Sequence, residues 1–159
     1  MIMKKIVYSL VALLTLGCGF VSCGDDDNDI TFSTTPEKAA AGTYSGTWTL
    51  TEEGASTSTT CEGTIIIAPT SNIYQADITF EVPFDGDKEK FKISATSVAN
   101  ISHANNGFVF NNNVDTNPLG ANFAGKIDEQ GNIALNFMKQ VKDGRKQFTY
   151  FYVFEGKKN

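Results

Sequence analysis

The sequence predicts an all-β domain, an eight-stranded antiparallel up-and-down β-barrel, on three observations. Apolar residues recur at every second position in run after run, turn signals such as Asn-Gly and Asp-Gly separate the runs, and between Gly42 and Asn159 no window carries a sustained helical period. A run with one apolar and one polar face must bury the first and solvate the second. A meander of such runs does so by closing on itself, which also removes the exposed edges. A two-sheet sandwich is the competing architecture, but it usually needs Greek-key crossings and longer connections.

Residues 1–22 precede that pattern and differ from it. Lys4 and Lys5 give a positive start, an apolar run extends from Ile6 to Phe20, and small Ser22 stands before Cys23. The run is too short and too interrupted for a convincing membrane span. The segment Phe20-Val21-Ser22-Cys23 resembles the lipobox of bacterial lipoprotein signal peptides, in which cleavage falls just before a cysteine carrying a diacylglyceryl group. Leu16-Gly17-Cys18 is a rival site. Cys23 is preferred because it ends the apolar run and is followed at once by Gly24-Asp25-Asp26-Asp27-Asn28-Asp29, a solvated stretch that no core accepts.

The resemblance implies lipidation at Cys23 and hence contact with the membrane through a lipid anchor. At about 0.8 kcal/mol per buried methylene, two or three acyl chains hold a protein at a bilayer with no transmembrane helix. The acidic run resembles the export tag of Bacteroidota lipoproteins, which implies the outer membrane and display at the cell surface; a plain solvated spacer is the alternative. Residues 23–41 are acidic, then contain Ser, Thr and Pro, and read as a lipidated flexible tether. The folded domain is placed at 42–159.

The strands follow in order. Tyr44, Gly46, Trp48 and Leu50 form the apolar face of the first, against a face of Ser and Thr; Cys61, Gly63, Ile65 and Ile67 form that of the second. Tyr74, Ala76, Ile78, Phe80 and Val82 alternate with Gln75, Asp77, Thr79 and Glu81. Then come Phe91, Ile93, Ala95; Phe108, Phe110; Ala121, Phe123, Gly125, Ile127; Ile133, Leu135, Phe137; and Phe148, Tyr150, Tyr152, Phe154. Residues 97–104 are either a short extra strand or a continuation of their neighbour, and residues 111–119 read as a loop. Turn signals at Ser71-Asn72, Asp85-Gly86, Asn106-Gly107, Asp128 to Gly131 and Asp143-Gly144 predict antiparallel pairing of consecutive strands.

Charge and cysteine count narrow the partners. The chain carries 13 Lys and Arg against 18 Asp and Glu, a formal net charge of −5, and loss of Lys4 and Lys5 with the signal makes the remainder more acidic still. Nucleic acid, which requires a basic footprint, is excluded as a partner. If Cys18 is discarded and Cys23 acylated, Cys61 is left alone. No disulfide framework and no cysteine pair for zinc then exist, and a lone Cys61 on an apolar face reads as a small core residue.

Gly46-Thr47-Trp48 in the first strand is a G-x-W element similar to that of the lipocalins and the wider calycin group. Together with the lipobox, the acidic tether and Gly42-Thr43-Tyr44-Ser45-Gly46, the chain resembles the calycin-like β-barrel lipoproteins of Bacteroidota. That resemblance implies a barrel able to hold a small guest. In lipocalins a basic side chain just beyond the last strand covers the tryptophan. Here Arg145 precedes the last strand and belongs near the far end of the first, whereas Lys157 and Lys158 belong near its beginning.

No catalytic machinery is legible. His103 is the sole histidine, no G-x-S-x-G elbow occurs, and Asp77 and Glu81 fall on the polar face of their strand, so neither an enzyme nor a metal or cofactor is expected. Eight-stranded barrels sit at the size where the interior either fills with side chains or holds one small ligand. Trp48, Phe80, Phe110, Phe123, Tyr150 and Tyr152 are the candidate ligand-binding residues, with the tyrosine hydroxyls placed to orient a small hydrophobic guest. Small residues beside aromatics also make a solid core, and in that case the protein is a surface interaction module, an inhibitor, adhesive component or complex subunit. For a protein partner, Phe151 and Val153 on the outer face of the last strand and the Asn-rich loop 111–119 are the sequence support.

Overall fold

The computed structural model describes residues 35–112 and 119–159. The predicted Cys23 anchor and the acidic run behind it lie outside the described residues. Eight strands follow one another: β1 (Gly42–Glu52), β2 (Ser58–Pro69), β3 (Gln75–Val82), β4 (Ile93–Ala104), β5 (Gly107–Asn111), β6 (Phe123–Asp128), β7 (Asn132–Asp143) and β8 (Lys146–Lys158). Each pairs antiparallel with the next, and β1 pairs with β8, closing the barrel. The meander order and closure are those of the predicted up-and-down barrel, an architecture consistent with a calycin-like fold.

Period two sets which side chains fill the interior. Tyr44, Trp48, Leu50, Ile65, Ile67, Ile78, Phe80, Leu135, Phe137, Tyr152 and Phe154 are all buried, while the intervening Thr and Asn side chains stand outside. Gly131 (φ 78°) and Gly144 (φ 61°) occupy the left-handed backbone positions of the β6–β7 and β7–β8 turns. Asp128 organises the first of these, accepting from the N–H groups of Gln130 (3.0 Å) and Asn132 (2.8 Å) and from Asn132 Nδ2 (2.7 Å).

Residues 97–104 continue β4, one of the two readings open to them. Several local expectations are corrected. Tyr74 does not face the interior: β3 starts one residue later, and Tyr74 sits in the preceding turn at φ 65°, 56 % exposed. Its backbone is held by neighbours, the N–H donating to Glu37 (3.1 Å) and the carbonyl accepting from Ile101 (2.9 Å). Asp85-Gly86 forms no tight turn, although β3 and β4 pair antiparallel as expected. It leads into a 3₁₀ segment, Gly86–Phe91, so Phe91 is buried from a connection and not from a strand. Ala121 precedes β6 instead of belonging to it.

The predicted tether is also too long at its far end. Residues 35–41 are folded: Pro36–Ala39 form a single helical turn, α1, with Glu37 and Ala40 buried. The Glu37 carboxylate accepts from the Thr35 hydroxyl as well as from the Tyr74 N–H. The Ala40 carbonyl accepts from Tyr44 Oη at 2.7 Å, and the Ala39 carbonyl from Lys158 Nζ at 3.3 Å. These contacts close the barrel end at which β1 begins and β8 finishes. At the other end Phe84 and Phe91, between β3 and β4, and Leu119, ahead of β6, are buried.

Candidate functional site

The candidate residues lie on the inner face, and their packing begins with a row of glycines. Gly63, Gly46 and Gly156 stand side by side across β2, β1 and β8. Two aromatic rings occupy the space that side chains there would take. A Cβ on Gly63 would lie 2.6 Å from the Trp48 ring, and one on Gly156 2.7 Å from the Phe154 ring. At Gly46 the added atom would strike the backbone of Glu155 and Gly156. With Gly63 bare, Trp48 reaches over β2 and donates from Nε1 to the Glu81 carbonyl of β3 at 3.0 Å. The Gly46-Thr47-Trp48 element thus supplies both the gap and the ring of one packing unit.

From Trp48 the aromatic contacts run on without interruption. Its centroid lies 4.8 Å from Phe154, 6.0 Å from Phe137 and 6.4 Å from Phe80. Phe80 meets Phe123 edge to face at 4.9 Å, and Phe137 stacks on Tyr152 at 4.7 Å with planes 10° apart. Separations and tilts of this kind are favourable aromatic geometry. Trp48, Phe80, Phe123 and Tyr152, four of the six candidates, therefore form one cluster with Phe137 and Phe154.

The other two candidates stand elsewhere. Phe110 is on β5, its ring covering Gly125 of β6. Tyr150 is half-buried at the rim and packs on Phe91 with centroids 4.6 Å apart, while Lys88 Nζ and Lys90 Nζ lie 5.7 and 5.3 Å from the Phe91 ring. Phe91 was legible only as an apolar residue. Its covering role depends on a 3₁₀ turn whose short length leaves no periodic signal. Phe137 was legible as an inward residue, but nothing in the pattern singled it out as the link between Trp48 and Tyr152.

The hydroxyls expected to orient a guest are already engaged. Tyr152 Oη donates to the Phe91 carbonyl at 3.3 Å, and Tyr150 Oη to Glu52 Oε2 at 3.2 Å. Burial pushes the Tyr44 phenol up to about 12 and raises Tyr152 further, with Tyr150 beside it adding to the rise, so both buried phenols stay neutral donors. Among the described residues no buried side-chain nitrogen or oxygen lacks a hydrogen-bond partner. Cys61 pairs in register with Trp48 and packs half-buried against the core; burial, with Glu62 and Asp85 adding, pushes its thiol up and away from the reactive thiolate.

Comparison with known proteins adds no further assignment. No family model, curated protein or solved structure matches the chain. Among the described residues no group of three His, Cys, Asp or Glu side chains is placed to hold a metal ion. Glu81 lies on the outer face, where its carboxylate accepts from Ser94 Oγ at 2.8 Å, and exposed His103 packs its ring 5.3 Å from Phe108. Phe151 and Val153 are half-buried on the outer face of β8, and Met138, which pairs with Phe151, is 58 % exposed.

Proposed function

We propose that this chain is a non-enzymatic lipoprotein of the bacterial outer membrane, anchored through Cys23 and displayed at the cell surface, whose solid calycin-like barrel acts as an interaction module for a protein partner. The observation that carries this reading is the occupied interior. Trp48, Phe80, Phe123 and Tyr152, the residues best placed to line a lumen, pack instead on one another and on Phe137 and Phe154. A small apolar guest has to separate rings already in contact and gains no free hydroxyl in return. Recognition is then left to the outside, where Met138, Phe151 and Val153 give an apolar strip bordered by Thr49 and Thr51 of β1.

Trp48 is the single tryptophan, so its emission reports on the core alone. Titration of the full-length protein with fatty acids and other apolar compounds is expected to leave that emission and the melting temperature unchanged. A saturable shift with a rise in Tm overturns the solid-barrel reading in favour of a bound guest. In intact cells, a photo-crosslinker at Met138 is expected to give a discrete protein adduct that the same probe at Thr79 does not.

A further inference from the structure

The β7–β8 hairpin outruns its neighbour. Pairing of β6 with β7 stops at Phe123↔Phe137, whereas β7 and β8 stay paired to Asp143↔Lys146. Residues 138–143 are therefore bonded along one edge, and among the described residues no strand lies along the other. Asn112 finishes the wall beside this gap, its Oδ1 accepting from the Phe123 N–H at 2.8 Å and its Nδ2 donating to the Ala121 carbonyl at 3.2 Å. An unpaired row of N–H and C=O groups is a template for a further strand.

The charge on this edge selects the occupant. Between residues 138 and 146, Lys139, Lys142, Arg145 and Lys146 stand against a single acid, Asp143, in a chain whose net charge is −5. The described residues at the neighbouring rim, Asn111, Asn112, Ala121 and Asn122, are uncharged. A second copy pairing edge to edge would set lysines against lysines, so the edge opposes self-association. An acidic strand would meet complementary charge.

We propose that the edge of β7 over residues 138–143, along which no described strand lies, accepts an extended acidic segment of a partner protein as an additional antiparallel strand. The pattern of that segment follows from the side chains on the edge. Met138, exposed beside Phe151, and half-buried Val141 call for apolar residues opposite them, and Lys139 and Lys142 for acids. Gln140, tied to the Gln147 side chain across the hairpin, takes a polar residue. Read from its own N-terminus, the incoming strand is acidic, apolar, polar, acidic, apolar.

The proposal rests on the interaction-module reading but is tested apart from it. Full-length protein is mixed with a blocked peptide centred on Glu-Val-Thr-Glu-Val, and backbone amide hydrogen exchange is followed across residues 138–143. The expected result is slowing of edge amides by about tenfold or more at saturating peptide, equivalent to about 1.4 kcal/mol. A Lys-Val-Thr-Lys-Val peptide, a version with proline at the central position, and the Lys139→Glu, Lys142→Glu double variant with the acidic peptide are each expected to give no slowing. Unchanged edge amides with the acidic peptide overturn the proposal. So does equal slowing by the lysine peptide, or adhesion to phosphatidylglycerol vesicles or polyglutamate in place of strand pairing. Trp48 emission in the same samples reports separately on the solid core, so failure at the edge and failure of the functional reading are distinguishable.

Discussion

At the scale of single residues, the barrel interior is governed by pairs in which an absent side chain and a large one are equally necessary. Gly63→Ala places a methyl group against both the Glu81 carbonyl and the Trp48 ring and is expected to destabilise the protein by about 1–3 kcal/mol, the usual cost of overpacking. Trp48→Ala is expected to cost about 3–5 kcal/mol. Because the two act on one space, the double variant is expected to fall short of the sum, and denaturant unfolding of all three proteins measures the coupling. Strict additivity would place the whole cost of the methyl group on the Glu81 carbonyl and none on the ring. The sequence exposed the ingredients, since Gly46, Gly63 and Trp48 alternate on inward faces. It did not show that Gly63 lies diagonally beneath the indole, because that relation is fixed by the β1–β2 register, which period two leaves undetermined.

Among the elements, the strands were legible and their attachments were not. Alternation and turn residues suffice for hairpins such as β7–β8, where Gly144 supplies the positive φ. Four helical residues in α1 leave no periodicity, and the preceding acidic composition suggests only a leash. The alternation through Tyr74 continues past the true start of β3 because a turn residue can match the strand's parity by chance. Two elements give direct tests. Phe91→Ala removes the ring that covers Tyr150 and is expected to lower stability by about 3 kcal/mol, read by thermal or denaturant unfolding.

The Asp128 turn gives a pH test. Burial works against ionisation of Asp128, but the donors of Asn132 and Gln130, with Lys157 adding, outweigh it and hold the carboxyl below its ordinary range. The unfolded chain therefore takes up this proton more readily than the folded one. The stabilisation is complete above about pH 4 and is lost as pH falls through the folded-state value. Asp128→Ala is expected to be less stable than the parent by about 1 kcal/mol near neutral pH, with the difference narrowing in acid; a gap independent of pH would contradict the assignment.

For the whole molecule, the architecture was within reach of the sequence because each run offered one apolar face and most connections were short. What the barrel contains was not, since small residues beside aromatics fit a hollow and a solid interior alike until distances separate them. Membrane attachment is tested at the chain's start. Metabolic labelling with a fatty-acid analogue is expected to disappear in Cys23→Ala and to persist in Cys18→Ala, and the reverse result would move the anchor to Cys18.

The pairing of β1 with β8 has a bearing on when such a chain can complete its fold. Trp48 finds its Phe154 partner only when the final strand is present, so the contacts that complete the core join the two extremes of the sequence. Loop-closure entropy makes contacts of that kind late ones, and a chain emerging from its N-terminus holds an open sheet with β1 unpaired on one side until residues 146–158 follow. Ring closure by the last-made strand holds back completion of the native core until the C-terminal strand is available.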